Sequence, residues 1–193
     1  MTRCLITPPT QEPLALEEVK GQLHEYENDQ DDLLAGFLQG AREDVEKSLN
    51  RAFMTQTWEM VLDSFPCGEI ELLPAPLQSV THIKYIDTDG EEQSWDAGNY
   101  QVSTVSEPGR IRPVYGQYWP TTKQRMDAVR IQYVAGYESA DDIPRMYRIA
   151  ILQLVATMNR HREATDDGPG EIKEVTTPGS FTRIVRANKI RTF

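Results

Sequence analysis

The hydrophobic pattern of this chain changes its period twice, and no other feature of the sequence limits the fold so strongly. Between residues 28 and 49 apolar side chains recur every three or four positions, which is typical of an amphipathic helix. From 54 to 137 they recur roughly every second position in short runs broken by Pro and Gly, which is typical of strands. Helical spacing then returns at 142–163. The sequence therefore predicts an α+β fold: a small helical bundle core with an inserted antiparallel β-rich region and a C-terminal arm.

The same changes of period predict the domain organisation. One domain over residues 1–165 has a helical core from 14–52 and 142–163 and a β insertion at 54–137. Its first thirteen residues, which contain three prolines, are expected to be extended and mobile. Residues 166–193 are predicted to be a linker and a C-terminal docking arm, because 164–180 are rich in Gly, Pro and Thr.

The two long helices are predicted to pack together through six apolar side chains, namely Leu34, Phe37, Val45, Ile149, Leu152 and Val155. The first of these helices contains Gly36 and Gly40, each of which costs about 1 kcal/mol relative to Ala in a helix interior. Two such costs at i and i+4 suggest that another backbone approaches that face closely. The alternative is that the two glycines are merely tolerated.

The last long helix is apolar on more than one face, so the sequence predicts that part of it packs against a neighbouring subunit. The candidate subunit-packing residues are Ile149, Leu152, Val155 and Met158.

Charge is distributed unevenly along the chain. The formal net charge is −10, from 20 basic and 30 acidic side chains, which is unfavourable for tight binding of nucleic acid. Residues 1–50 carry four basic and eleven acidic side chains, whereas residues 172–193 carry five basic and one acidic. Opposite charge at the two ends of a chain favours head-to-tail contacts between copies.

Candidate chemistry is sparse. The two cysteines and three histidines show no ligand spacing, and no nucleophile–base motif is present, so we expect no catalytic residue, no metal and no cofactor. The run Asp87-Thr88-Asp89-Gly90 resembles part of a calcium loop, but its Gly is at the wrong position, and a hairpin turn is favoured. No apolar run reaches membrane-spanning length.

The C-terminal arm combines apolar and basic residues in a helical pattern. Apolar anchors at i, i+3 and i+4 suit a helix that lies in a groove of a partner protein, with the cations meeting an acidic rim. Disorder and a DNA-binding arm are the alternatives that the composition leaves open. The candidate docking residues are Phe181, Arg183, Ile184, Val185, Arg186, Lys189 and Arg191.

An ordered set of short motifs between residues 13 and 163 resembles the head–tail connector proteins, or neck adaptors, of tailed phages. Each motif alone is weak, but their order is fairly specific. They are Ala41-Arg42-Glu43 with Val45-Glu46, then Gln56-Thr57-Trp58, Phe65-Pro66, Pro74-Ala75-Pro76-Leu77-Gln78-Ser79-Val80, and Ile83-Lys84-Tyr85-Ile86-Asp87.

The resemblance implies a structural, non-enzymatic protein of a phage or phage-like particle. About a dozen copies would form a ring in the virion neck, assembled in the host cytoplasm, between the portal and a tail or stopper protein. DNA would pass through the lumen only as cargo, and no membrane would be involved. The resemblance also implies that the arm, residues 181–193, reaches the portal or an adjacent subunit and orders on docking.

Two other functions are compatible with the residues. One is another neck or tail-completion protein. The other, from a different class, is a small mobile-element enzyme that uses the aromatic loop Tyr115–Trp119 as a pocket.

Overall fold

The computed structural model describes residues 2–25, 27–164 and 179–190, and side chains up to residue 160 and from residue 179. After an N-terminal strand, a helical stretch, a β stretch and a second helical stretch follow in the order that the changes of hydrophobic period predict. The strands are β1 Thr2–Thr7, β2 Gln56–Leu62, β3 Ile70–Leu72, β4 Leu77–Ile86, β5 Glu92–Trp95, β6 Tyr100–Ser103, β7 Gly109–Pro113 and β8 Val129–Ala135. The helices are α1 Leu16–Leu23, α2 Asp31–Leu49, α3 Arg145–Ala164 and α4 Gly179–Asn188.

The chain divides into two compact units. The β unit comprises Met1–Thr10, Asn50–Glu138 and Ile190–Phe193, and the helical unit comprises Gln11–Leu49 and Ser139–Lys189. Helices and antiparallel sheets occupy separate stretches of the chain, so the predicted α+β class is confirmed. Among the described residues no helix is both long and apolar enough to cross a bilayer.

Two antiparallel sheets form the β unit. One has the strand order β1-β2-β8-β4-β5, and the other has the order β3-β7-β6. The central strand β8 alternates as predicted, with Val129, Ile131, Tyr133 and Ala135 buried. The buried Tyr133 hydroxyl donates a hydrogen bond to the Leu73 carbonyl oxygen. Desolvation by this burial raises the pKa of the phenol.

The turn between β4 and β5 is the hairpin that the sequence predicts. Gly90 has φ +97°, and the Asp87 carboxylate accepts three backbone N–H groups at 3.0 Å each, from Asp89, Gly90 and Glu91. Because Gln93 and these N–H groups donate to the charged form, the pKa of Asp87 lies below its ordinary value.

The N-terminus differs from the expectation of a mobile lead-in. Residues Thr2–Thr7 form the edge strand β1, which pairs antiparallel with β2 and has a register irregularity between Leu5 and Thr7. All six residues are exposed. Because neither face of the strand is buried, its sequence shows no apolar–polar alternation, and periodicity alone does not identify it.

In the helical unit, Leu16, Val19 and Leu23 are spaced so that they share one helix face, which predicts a short helix over 16–23, and α1 has these bounds. Ala15 at its N-cap has no side-chain oxygen, but Glu18 reaches back and accepts the Ala15 N–H at 3.1 Å. The same Glu18 forms an ion pair with Arg148 of α3 at 2.7 Å. α1, α2 and α3 all pack against one another.

The predicted helix–helix core is partly right. Leu34, Val45 and Val155 are fully or almost fully buried, but Phe37 and Leu152 are only half-buried. The assignment of Ile149 to the core is wrong, since 44% of its surface is exposed. The buried face of α3 is formed by other apolar residues, namely Tyr147, Ala150, Ile151 and Leu154.

Candidate functional site

A groove of about 350 Å³ runs along the outer face of α3 in the helical unit. Ile149, Leu152 and Ala156 form its apolar lining. Two other elements contribute to it, since Gln22 of α1 and Ser180 of α4 also line the groove. The Ser180 hydroxyl donates to the Gln153 side-chain oxygen at 2.9 Å, which holds the start of α4 beside α3.

The four predicted subunit-packing residues therefore do not share one environment. Ile149 and Leu152 line the groove, so they are available to a partner. Val155 lies in the core of its own chain, and Met158 is half-buried. Their packing against another subunit stays a prediction, for which the structure leaves the exposed Ile149 and the half-buried Leu152 as candidates in the groove.

The C-terminal arm is helical over Gly179–Asn188, and this helix packs against both α3 and α2. Phe181 is only 8% exposed, so the first predicted docking anchor is already covered by its own chain. The expectation that residues 181–193 order only on docking is thus not met by the described residues 181–190. The local pattern correctly predicts the helix, but the sequence does not show that the helix has a partner within its own chain.

The remaining arm residues retain surface for a partner. Ile184 and Val185 are half-buried, while Arg183, Arg186 and Lys189 are exposed. Arg191 lies outside the described residues. In the β unit, Ile190 is buried with Leu73 and Ala75, and its carbonyl accepts a hydrogen bond from the Asn50 side chain at 2.8 Å.

The outer face of α2 carries the two glycines noted in the sequence. A Cβ atom placed on Gly36 or Gly40 would meet no other atom within 4 Å, leaving aside the backbone of α2 itself. The close approach of another backbone is therefore not found among the described residues of the single chain. Next to them, Leu33 is 38% exposed.

Arg42 gives the Ala-Arg-Glu motif a physical role that sequence reasoning missed. Only 4% of this residue is exposed, and its guanidinium donates to Glu12 and Glu46 at 2.8 Å each. Burial acts to lower its pKa, but the two carboxylates outweigh this effect, so the pKa of Arg42 is raised. The ion pair holds residue 12, just before α1, against the middle of α2.

The aromatic residues of the Tyr115–Trp119 loop, the alternative enzyme pocket, lie in two different environments. Trp119 stacks on Phe65 with ring centroids 4.8 Å apart and lies 4.7 Å from Trp95. Its indole N–H donates to the Gly68 carbonyl at 2.7 Å. Tyr115 and Tyr118, in contrast, extend almost completely into water.

The aromatic cluster also explains why the Phe65-Pro66 motif follows β2. Phe65 contacts Trp119 and Tyr85 of β4, and Trp95 stacks on Tyr100. Such pairs contribute about 0.5–1.5 kcal/mol each beyond their buried area. Within the described ranges no three His, Cys, Asp or Glu side chains are grouped to hold a metal ion.

Comparison with known proteins finds similarity in fold. No protein-family model matches the chain, and no curated protein matches it. Three solved structures superpose on all of it. The first is a chain of the virion of a native gene transfer agent (GTA) particle, with a TM-score of 0.76, 18% identity and 97% of that chain covered. The second is a chain of the neck of an empty GTA particle computed with C6 symmetry, with a TM-score of 0.75, 20% identity and 98% of that chain covered. The third is a chain of the neck of a native GTA particle computed with C12 symmetry, with a TM-score of 0.76, 20% identity and 97% of that chain covered.

Proposed function

We propose that this chain is a structural neck protein of a phage or phage-like particle, and that it acts as the adaptor between portal and tail. The observation that carries the proposal is a superposition on chains of GTA particle necks that covers all of this chain and 97–98% of each of those chains. The ordered motifs from Ala41 to Asp87 support the same conclusion independently, because they were recognised in the sequence alone.

In this proposal about twelve copies form a ring, as the C12 symmetry of one neighbouring structure suggests. DNA passes through the lumen without being gripped. The net charge of −10 supports this role, since an acidic chain does not bind phosphates strongly.

The exposed cations of α4 are proposed to dock against the portal or an adjacent subunit. Arg183 and Arg186 extend from a helix that is already packed on its own chain, and Lys189 directly follows that helix, so docking needs no large ordering step. Preorganisation of this kind lowers the entropic cost of each contact, and several copies in a ring act together.

We propose a non-enzymatic role rather than the mobile-element enzyme. Trp119 is engaged in the aromatic cluster, and the exposed Tyr115 and Tyr118 have no packed surroundings that would form a pocket.

Deletion of the gene from a producing strain tests the proposal. We expect heads filled with DNA that lack tails, and we expect purified protein added to such heads to restore tail attachment. Quantitative mass spectrometry of restored particles should find about one copy per portal subunit. Normal tailed particles in the deletion strain would contradict the adaptor role, and a label on the chain found away from the neck would contradict the location.

A charge-reversal pair separates docking from folding. The double variant Arg183→Glu/Arg186→Glu should keep its melting temperature but lose incorporation into necks. The matched control Arg112→Glu/Arg125→Glu reverses two exposed cations of the β unit and should be incorporated normally. Equal incorporation of both variants would show that the α4 cations do not dock.

A further inference from the structure

The groove on α3 has a mixed lining, with Ile149, Leu152 and Ala156 among polar side chains, and it lacks an occupant among the described residues. Ile149 in the groove and Met146, one turn earlier on α3, leave 44% and 43% of their surfaces in water. Apolar side chains exposed beside polar groups offer a surface for contact with another protein. Positive charge in the groove comes from Arg160, and α4, which contributes Ser180 to the lining, also carries the exposed Arg183 and Arg186.

The outer face of α2 has the opposite character. Leu33, Gly36, Phe37 and Gly40 fall at i, i+3, i+4 and i+7, so they share one side of the helix, away from its buried side. Leu33 is 38% exposed, Phe37 is half-buried, and the space above both glycines is open.

Acidic residues accompany this face. Asp32 precedes Leu33, Asp44 follows Gly40 by one turn, and both are exposed. α2 therefore presents an apolar ridge beside negative charge, whereas the α3 groove presents a recess that contains apolar side chains and the cation Arg160. The two surfaces are complementary in both respects, and complementary potentials guide association and fix register.

We propose that the α3 groove of one copy receives the outer face of α2 from a second copy of this chain. Leu33 and Phe37 enter the groove over Ile149 and Leu152, and the two glycines let the helices approach closely. Because the two surfaces are different, the contact is heterologous and repeats from copy to copy until a ring closes. This inference rests on the proposed function and names the surfaces that would build the ring.

Cysteine cross-linking tests the contact directly. In a Cys4→Ser/Cys67→Ser background, which removes both exposed native thiols, two variants are prepared, Gly40→Cys and Ile149→Cys. Mixed at high concentration under mild oxidation, they should form a disulfide-linked heterodimer. Each variant alone should form at least about tenfold less homodimer, because α2 meets α3 and not another α2.

The control for this experiment is Ala35→Cys mixed with Ile149→Cys. Ala35 is exposed on the same helix but about half a turn away from the proposed face. Heterodimer yield no higher than in this control would overturn the inference, as would efficient cross-linking of Gly40→Cys with itself. Reversal of Asp32 and Asp44 to Arg should lower the yield about tenfold, because it replaces attraction by repulsion.

A second variant separates the interface from monomer stability. Gly36→Gln adds a side chain where the single chain has open space, and it removes a helix cost of about 1 kcal/mol. Its melting temperature should therefore rise slightly, while incorporation into neck rings is lost. Normal incorporation would overturn the inference. If the specific cross-link forms but deletion of the gene leaves tailed particles intact, the interface stands and the proposed function fails.

Discussion

Replacement of Phe181 by Ala tests whether the C-terminal helix belongs to the folded chain. Phe181 is 8% exposed on a helix that packs against α2 and α3. Removal of a buried ring costs the lost transfer free energy, about 2–3 kcal/mol, plus a term for the cavity that remains. Measured Phe→Ala changes in cores are about 3–5 kcal/mol.

We expect the lower end of that range, about 3 kcal/mol, because a terminal helix can shift to fill part of the cavity. For a chain of this length 1 kcal/mol corresponds to about 2–4 °C, so the melting temperature should fall by about 6–12 °C. Thermal and urea unfolding followed by circular dichroism measure both quantities.

Arg183→Ala is the matched control, since it truncates an exposed residue of the same helix and should change stability by less than about 0.5 kcal/mol. A cost below about 1 kcal/mol for Phe181→Ala would refute the packing of α4. It would restore the original expectation that the arm is held weakly until it docks.

Three further predictions concern the β unit. Gly136→Ala should prevent stable folding or cost more than about 3 kcal/mol in urea unfolding, because a Cβ at φ +115° would lie 2.1 Å from the Met54 carbonyl oxygen. Tyr133→Phe should lower the free energy of unfolding by about 1–2 kcal/mol, since it leaves the buried Leu73 carbonyl without its hydrogen-bond donor. In the unmodified protein the pKa of Tyr133 is raised by folding, so its contribution to stability is complete below pH about 10 and is lost as the pH rises through the folded-state pKa. Because folding lowers the pKa of Asp87, its carboxylate stabilises the hairpin above the ordinary carboxyl pKa, and this contribution is lost as the pH falls through the folded-state pKa. In an NMR titration the Gly90 amide resonance should therefore shift only below pH about 4. In Asp87→Asn this pH-dependent shift should be absent.

Local patterns were sufficient to predict most secondary structure. The bounds of α1, the alternation of β8 and the turn at Gly90 follow from residues close together in the chain. Helix and strand periods and turn chemistry depend on near neighbours, so a single sequence carries this information. The α+β class follows from the same periods, because they separate the chain into helical and β stretches.

The order of the motifs from Ala41 to Asp87 also carried the functional hypothesis before the fold was known. The structure gives these residues physical roles that spacing does not reveal. Arg42 is a buried cation between two carboxylates, and Phe65 is the centre of an aromatic cluster. Trp119, which stacks on Phe65, is distant from it in the sequence, so no local pattern predicts this contact.

Burial, in contrast, was decided by the tertiary structure. Ile149 and Val155 are apolar residues of one helix, yet Val155 is buried in its own chain while Ile149 remains in the groove. Likewise the pattern of Phe181 predicts a helix but not that its own chain covers it. Whether a side chain is buried depends on which helix or strand packs against it. That packing is set by contacts between residues far apart in the sequence, such as the hydrogen bond from the Tyr133 hydroxyl to the Leu73 carbonyl.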